Sequence, residues 1–426
     1  MLAFLVSSCS SGQDSAGDGD VGVAESAAVA VEDSASTTST TSTTTTVAPE
    51  PQVAVDYGVT ESVIRIGYSL DLSGPFASHD AHVLDGHQAY FDAVNAEGGI
   101  EGRVVELVRL DSGFDVPMHL DNIAELIEES DAGVVAIGGL SHPNFDDATV
   151  EAVGDAGLLI VGNTPAGVPA AGATAVVPTL PSVCVQTAVG VAALIGEQDA
   201  SSVSVAFVGR DEPWATASRE TVESLAELLG FSIDVTVVGF DDLSDVTSEL
   251  AESEVGAVWA AVSPRELGTL AFAFEEDQRD WRWSGPSVAF DASLLETESA
   301  AEVARVYQHV SAVAPIDDAS QAEARQALAE AFPDLTYSAA SPAALGYTQA
   351  ELVHEVLVEA FAQGDVTRAN VARLGEELAP DIGAPEVYGL ERSVQIGEPL
   401  AVDEGGSGLS ELDIPFDTAA ALQVCQ

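Results

Sequence analysis

From residue 62 to about residue 290, short apolar runs alternate with stretches of helical period, and this alternation constrains the fold more than any other feature. Val63-Ile64-Arg65-Ile66-Gly67-Tyr68 is short, mostly apolar and followed by turn residues, so it reads as a buried strand. Apolar positions at helical spacing follow over 79–96 and stop at Glu97-Gly98-Gly99, a glycine signal for a helix end. Strands are read next at 104–110, 133–138 and 157–161, with helices over 117–129 and 143–156 between them. Strand and helix alternating in this way build a parallel sheet with helices on both faces. The pattern then repeats. Helices at 182–197, 214–229, 244–253 and 264–277 alternate with strands at 202–208, 231–238, 256–262 and near 286–290. Two series imply two doubly wound α/β lobes. Helical patterns over 319–332 and 342–363 come without strands of their own, so they must complete an earlier lobe. In open sheets of this kind ligands bind beyond the carboxyl ends of the strands, so two facing lobes make a cleft that can hinge shut.

Charge narrows the function. The chain carries 70 acidic residues against 13 basic ones, a formal charge of −57, and every basic residue is arginine. Phosphate backbones and anionic lipid surfaces would repel it, so no nucleic-acid partner is expected. Without lysine, Schiff-base and P-loop chemistry are impossible. No G-x-G-x-x-G follows a strand, and neither G-x-S-x-G nor H-E-x-x-H occurs, so the chain reads as a binding protein without an enzyme activity or a cofactor. His79, His82 and His87 have a spacing that could share a metal, but nothing else clusters with them. A polar helix start accounts for them without a metal, and His79 can also reach a ligand from the Gly74-Pro75 loop.

The first residues read as an address. Met1-Leu2-Ala3-Phe4-Leu5-Val6-Ser7-Ser8-Cys9 is an apolar stretch ending in small residues and a cysteine. Val6-Ser7-Ser8-Cys9 resembles a bacterial lipobox, which makes 1–9 a lipoprotein signal and Cys9 the lipidated residue. Residues 10–60 are dominated by Ser, Thr, Gly, Ala and Asp, too poor in apolar surface to offset ordering entropy, and read as a disordered tether. After the N-terminus no run of 18 apolar residues occurs, so no interior membrane span is expected.

Particular residues carry a family resemblance. Ile64-Arg65-Ile66-Gly67, Leu72-Ser73-Gly74-Pro75-Phe76-Ala77, Asp85-Gly86 and Val94-Asn95-Ala96-Glu97-Gly98-Gly99-Ile100-Glu101-Gly102-Arg103 stand in the order found in leucine/isoleucine/valine-binding proteins. Ala136 to Ser141 and Asp403-Glu404-Gly405-Gly406 extend the likeness. The chain thus resembles the type I periplasmic substrate-binding proteins of ABC importers. The resemblance implies two parallel-sheet lobes joined by three crossovers, lobe 1 from 61–181 plus 314–388 and lobe 2 from 182–313 plus 389–426. It implies an extracytoplasmic, lipid-anchored monomer that hands a small polar metabolite (amino acid, amide or related carboxylate) to a permease. A ligand-sensing receptor of the same fold, working with a signalling partner, is the alternative.

In amino-acid-binding relatives the loops after the third and fourth strands hold the ligand carboxylate. Here those loops carry Ser141 and His142, and Asn163 and Thr164. Glycine-rich strand ends that open helices present free N–H groups to an anion; helix capping alone is the competing reading for the two hydroxyls. The second lobe often adds an aromatic after its first strand, where Trp214 stands, as a ligand-facing ring or as core packing. Ser287 occupies the place where an acid would meet an ammonium group, with Asp291 as the substitute. Once Cys9 is lipidated, Cys184 and Cys425 remain. The family's chain ends beside its second lobe, and an exported protein meets an oxidising environment, so the two are expected to form a disulfide rather than stay separate buried thiols.

Overall fold

The computed structural model describes residues 53–130, 132–140, 147–162, 176–196, 198–238, 255–275, 282–291, 307–312, 319–335, 337–382, 389–393, 409–411 and 422–425, with Val246, Leu250, Leu294 and Val303 besides. Its fold starts earlier than composition suggests. Residues 53–60, read above as tether, belong to the first lobe: β1 (Ala54–Val55) pairs in parallel with Asp365–Val366, Val59 is buried, and Asp56 accepts from the Arg368 amide. Those partners lie more than 300 residues away, out of reach of local pattern.

The first lobe is a parallel sheet of β2 (Val63–Leu70), β3 (Val104–Asp111), β4 (Ala136–Leu140), β5 (Leu159–Gly162) and β6 (Val176–Pro178), in the order β3-β2-β4-β5-β6. Helices α1 (Ala77–Ala96), α2 (Val116–Leu126) and α3 (Asp147–Asp155) connect the first four strands. The Asn95 to Arg103 segment shows why its sequence is specific. Asn95 both accepts from and donates to the backbone of Val105, locking the end of α1 to the second strand. Gly99 has φ 74°, and a Cβ there would lie 1.9 Å from the Arg103 carbonyl oxygen, so only glycine fits.

The chain then crosses to a second sheet. After α4 (Val183–Ile195) come β7 (Ser204–Arg210), α5 (Pro213–Leu229), β8 (Ser232–Val238), β9 (Ala257–Ala261), α6 (Pro264–Glu275), β10 (Arg282–Gly285) and β11 (Tyr307–Ser311). It crosses back for α7 (Ala322–Ala331), α8 (Tyr337–Gln363), β12 (Asp365–Val366) and α9 (Arg368–Ile382). These late helices complete the first lobe: Val353, Val356 and Leu357 of α8 and Val371 and Leu374 of α9 share one core with Ile64, Ile66 and Leu159. Gly86 of α1 and Gly346 of α8 let the two helices touch, since a Cβ on either would strike the other's backbone within 2 Å. A third crossing adds β13 (Gly389–Ser393) and β14 (Leu409–Glu411), antiparallel, to the edge of the second sheet, whose order is β14-β13-β11-β10-β9-β7-β8.

Several sequence expectations are corrected. The strand placed near 286–290 lies at Arg282–Gly285. Pro286 lacks the N–H a central strand must donate, so the chain turns there, and Ser287–Ala289 is a 3-10 turn with the Ala289 amide donating to the Pro286 carbonyl. Strands β6, β11, β13 and β14 and helix α9 had no sequence reading. Helix α8 begins at Tyr337, which puts Pro342 in its second turn rather than at its start. The expected helix at 244–253 falls almost wholly outside the described residues.

Candidate functional site

The loop between β2 and α1 is built around two carboxylates. Asp71, fully buried, accepts from the amides of Gly74 and of Phe76 (2.8 Å), so the turn folds around its side chain. Its own amide donates to Asp80 Oδ2 at 2.9 Å. Burial pushes the Asp71 carboxyl above its ordinary range; the Phe76 and Gly74 amides offset this in part, and the charge of Asp80 adds to it. Asp80 Oδ1 in turn pairs with His79 Nδ1 at 3.1 Å. Burial by itself would lower the His79 pKa, yet the hydrogen bond and charge of Asp80, joined by the charge of Asp291, raise it above the ordinary value. Asp291 belongs to the segment after β10. The negative charge of Asp291, from the second lobe, thus acts on His79 of the first in the same direction as that of Asp80, which is the group that pairs with the ring.

The turn after β10 and the neighbouring strand β11 hold uncharged polar atoms. Ser287 Oγ, Tyr307 Oη, Gln308 Oε1 and His309 Nδ1 are buried without a hydrogen-bond partner among the described residues. Buried polar atoms are normally paired, so four on two adjacent segments mark this end of the lobe as chemically unusual. Phe290 ties the segments together, with its ring centroid 5.7 Å from Tyr307 and 4.7 Å from His309. The Ser287 amide donates to Gln186 Oε1 at 2.8 Å, which fixes the turn against α4. Sequence reasoning missed Tyr307, Gln308 and His309 because β11 itself was not read. The local alternation Tyr307-Gln308-His309-Val310 was the signal available.

At the end of β7, Arg210 is 5% exposed and is clamped by acids. Nε and Nη2 donate to both oxygens of Glu212, and Nη1 donates to Glu266 Oε1 at 2.6 Å. Ser263 donates to the other oxygen of Glu266 through its amide and hydroxyl. The guanidinium is thus neutralised within the lobe and lies over the Phe114 ring of the first lobe, 5.1 Å from its centroid. Trp214, expected as an aromatic face for a ligand, has no exposed surface. Its indole packs in the core of the second lobe and meets Phe76 edge-on at 6.2 Å. Of the two readings given for Trp214, this arrangement is the core-packing one, with Phe76 of the other lobe against the ring.

The remaining expectations divide cleanly. Ser141, His142, Asn163 and Thr164 of the anion loops, and Cys9, lie outside the described residues. The three spaced histidines turn to different partners: His79 to Asp80, His82 to Asp85, and fully buried His87 to Tyr68 Oη (3.0 Å) and Gln349 Oε1 (3.2 Å). Among the described residues no group of three or more His, Cys, Asp or Glu could hold a metal ion. Cys184 of α4 and Cys425 of the final 3-10 turn (Leu422–Cys425) are joined by a disulfide, with Cα atoms 5.8 Å apart. No described helix is long and apolar enough to cross a membrane.

With this geometry in place, comparison with known proteins fixes the class. A family model described as periplasmic binding protein matches residues 63–387, and the chain belongs to that family. Among solved structures, the chain is similar to a fatty acid ABC transporter substrate-binding protein from Thermomonospora curvata (TM-score 0.70, 20% identity, covering 87% of this chain and 96% of that one). It is similar also to a possible leucine/isoleucine/valine-binding protein from Rhodopirellula baltica (0.64, 16%, 82% and 93%). A third is the branched-chain amino acid transporter substrate-binding protein LivJ from Streptococcus pneumoniae in complex with isoleucine (0.61, 17%, 74% and 88%). At these identities the structures share the fold. A search of curated proteins gave no match.

Proposed function

We propose that this chain is an extracytoplasmic solute-binding lipoprotein that captures a small polar metabolite between its lobes and delivers it to the permease of an ABC importer. Cys9 carries the lipid, the Ser/Thr-rich segment after it is the tether, and the folded part acts as a monomer at the outer face of the membrane. The ligand carboxylate or amide sits on the Ser141 and Thr164 loops, with His142 and Asn163 beside them. Asp291, His79 and Ser287 hold its other end. What supports this reading is the match of residues 63–387 to the periplasmic binding protein family, together with a Ser287 hydroxyl on the turn after β10 that is buried without a partner among the described residues. Proteins of this fold include one named for fatty acids and one bound to isoleucine; a cleft end made of a carboxylate, an imidazole and uncharged hydrogen-bonding groups favours the polar kind.

The test is a thermal-shift screen of α-amino acids, amides, ureas, aromatic acids and fatty acids. The expected result is stabilisation by a small polar compound, since a ligand at 100 times its Kd adds about 2.7 kcal/mol. A shift confined to fatty acids would overturn the ligand class.

A further inference from the structure

Phe76 and Phe114 have no part in the reading above, yet both reach from the first lobe to side chains of the second. Phe76 follows Pro75 in the β2–α1 loop of the first lobe, but it is 3% exposed and belongs to the core of the second, with Trp214, Val222 and Val288. Its ring stacks on Phe114 at 5.0 Å and meets Trp214 edge-on. Phe114 lies in turn under the Arg210 guanidinium. Two further features hold these rings in place. Asp71 accepts from the Phe76 amide, and Asp111 Oδ1 accepts from both Leu72 (3.0 Å) and Gly113 (2.8 Å), tying the two loops together. Phe114 has φ 64°, a left-handed backbone that a bulky residue adopts only under constraint. The strain lies where the ring is laid between Phe76 and Arg210.

We infer that Phe76, backed by Phe114, is a built-in occupant of the Trp214 side of the cleft. It braces that side shut and confines any ligand to the His79–Asp291 side. A compound with a large apolar side chain is then excluded, because Phe76 already covers the indole and opening the brace would expose two phenylalanine rings to water. The size limit rests on the proposed ligand class; the brace does not.

Two readouts separate these. In small-angle scattering of the ligand-free chain, Phe76→Ala should give a larger radius of gyration than wild type, and Phe114→Ala should shift it in the same direction by less. Circular dichroism on both variants guards against misfolding, and Phe114→Ala, whose ring is only partly buried, keeps the question open to test if Phe76→Ala unfolds. Without the Phe76 ring and its two aromatic partners, the closed-to-open ratio should fall about tenfold. Equal radii for all three proteins would overturn the brace. In calorimetric titrations with alanine and phenylalanine as probes, Phe76→Ala should raise the affinity ratio in favour of phenylalanine about tenfold. Wild type preferring phenylalanine, or an unchanged ratio, would overturn the size limit. If neither amino acid binds either protein, the ligand class falls while the scattering still decides the role of Phe76.

Discussion

Replacing both Cys184 and Cys425 with alanine removes the disulfide without leaving a thiol. The two residues are 241 positions apart, so the bond closes most of the second lobe and the return through the first into a single loop. In the chain-entropy model a closed loop of that length restricts the unfolded state by about 5.5 kcal/mol. The bond also pins the final turn, whose Leu422 and Val424 pack against the core formed by α4 and α5. The folded unit runs over Pro51–Gln426. With an unfolding entropy of about 2.1 cal/mol/K per residue, the loss corresponds to a fall in Tm of about 7 °C. Scanning calorimetry of oxidised wild type and the double variant measures it. A fall below about 2 °C would refute the loop-entropy reasoning. Two titratable thiols in unreduced, denatured wild type would refute the bond itself.

Other predictions follow from single groups. Arg368, 3% exposed, donates to the carbonyls of Val134 (2.8 Å), Ile127 (3.0 Å) and Glu128 (3.2 Å) and lies 5.0 Å from the Tyr57 ring centroid. Arg368→Met should cost about 3 kcal/mol or more in a urea titration, and Arg368→Lys should recover less than half, because an ammonium lacks the fork these carbonyls need. Burial holds the His87 pKa at about 4, with the Gln349 hydrogen bond only partly opposing it. The unfolded imidazole takes up its proton near pH 6.5 and the folded one not until about pH 4, so His87 favours folding above pH 6.5 and this stability is lost as pH falls between those values, about 2 kcal/mol of it by pH 5. His87→Gln should flatten that acid limb in melts between pH 7 and 4.5; an unchanged slope would place the titration elsewhere. Labelling with a palmitate analogue in a bacterial host should mark wild type and not Cys9→Ala, which should be released from the membrane; a labelled Cys9→Ala would disprove the anchor.

Much of the fold was legible because the elements that position the cleft carry strong local signals. The apolar run at Val63, the glycine stop at Gly98-Gly99 and the Asn95 to Arg103 turn identify the first β–α–β unit from sequence, and the structure gives the turn its cause in Asn95 and Gly99. What escaped depends on distant partners. A two-residue strand such as β1 exists only because Asp365–Val366 lies beside it, and residues 53–60 look like linker without it. The apolar run after Pro286 drew the strand reading away from Arg282–Gly285, where polar residues alternate with Trp283. At the site, the position of Trp214 after a strand could be read, but not its burial. Phe76 is one of the residues that bury it, and its place in the opposite lobe's core is one no local pattern encodes. Asp291 is read from sequence as a substitute for Ser287, whereas the effect of its charge on His79 of the other lobe depends on tertiary structure.

Whether a ligand is held between the lobes is decided by calorimetric titration of the best hit of the thermal-shift screen into wild type, Asp291→Asn and Thr164→Ala. Each substitution should weaken binding at least tenfold, since a hydrogen bond to a charged group is worth about 1.5–3 kcal/mol, while circular dichroism stays unchanged. Affinity equal to wild type in both variants would contradict a ligand held between the lobes at these residues.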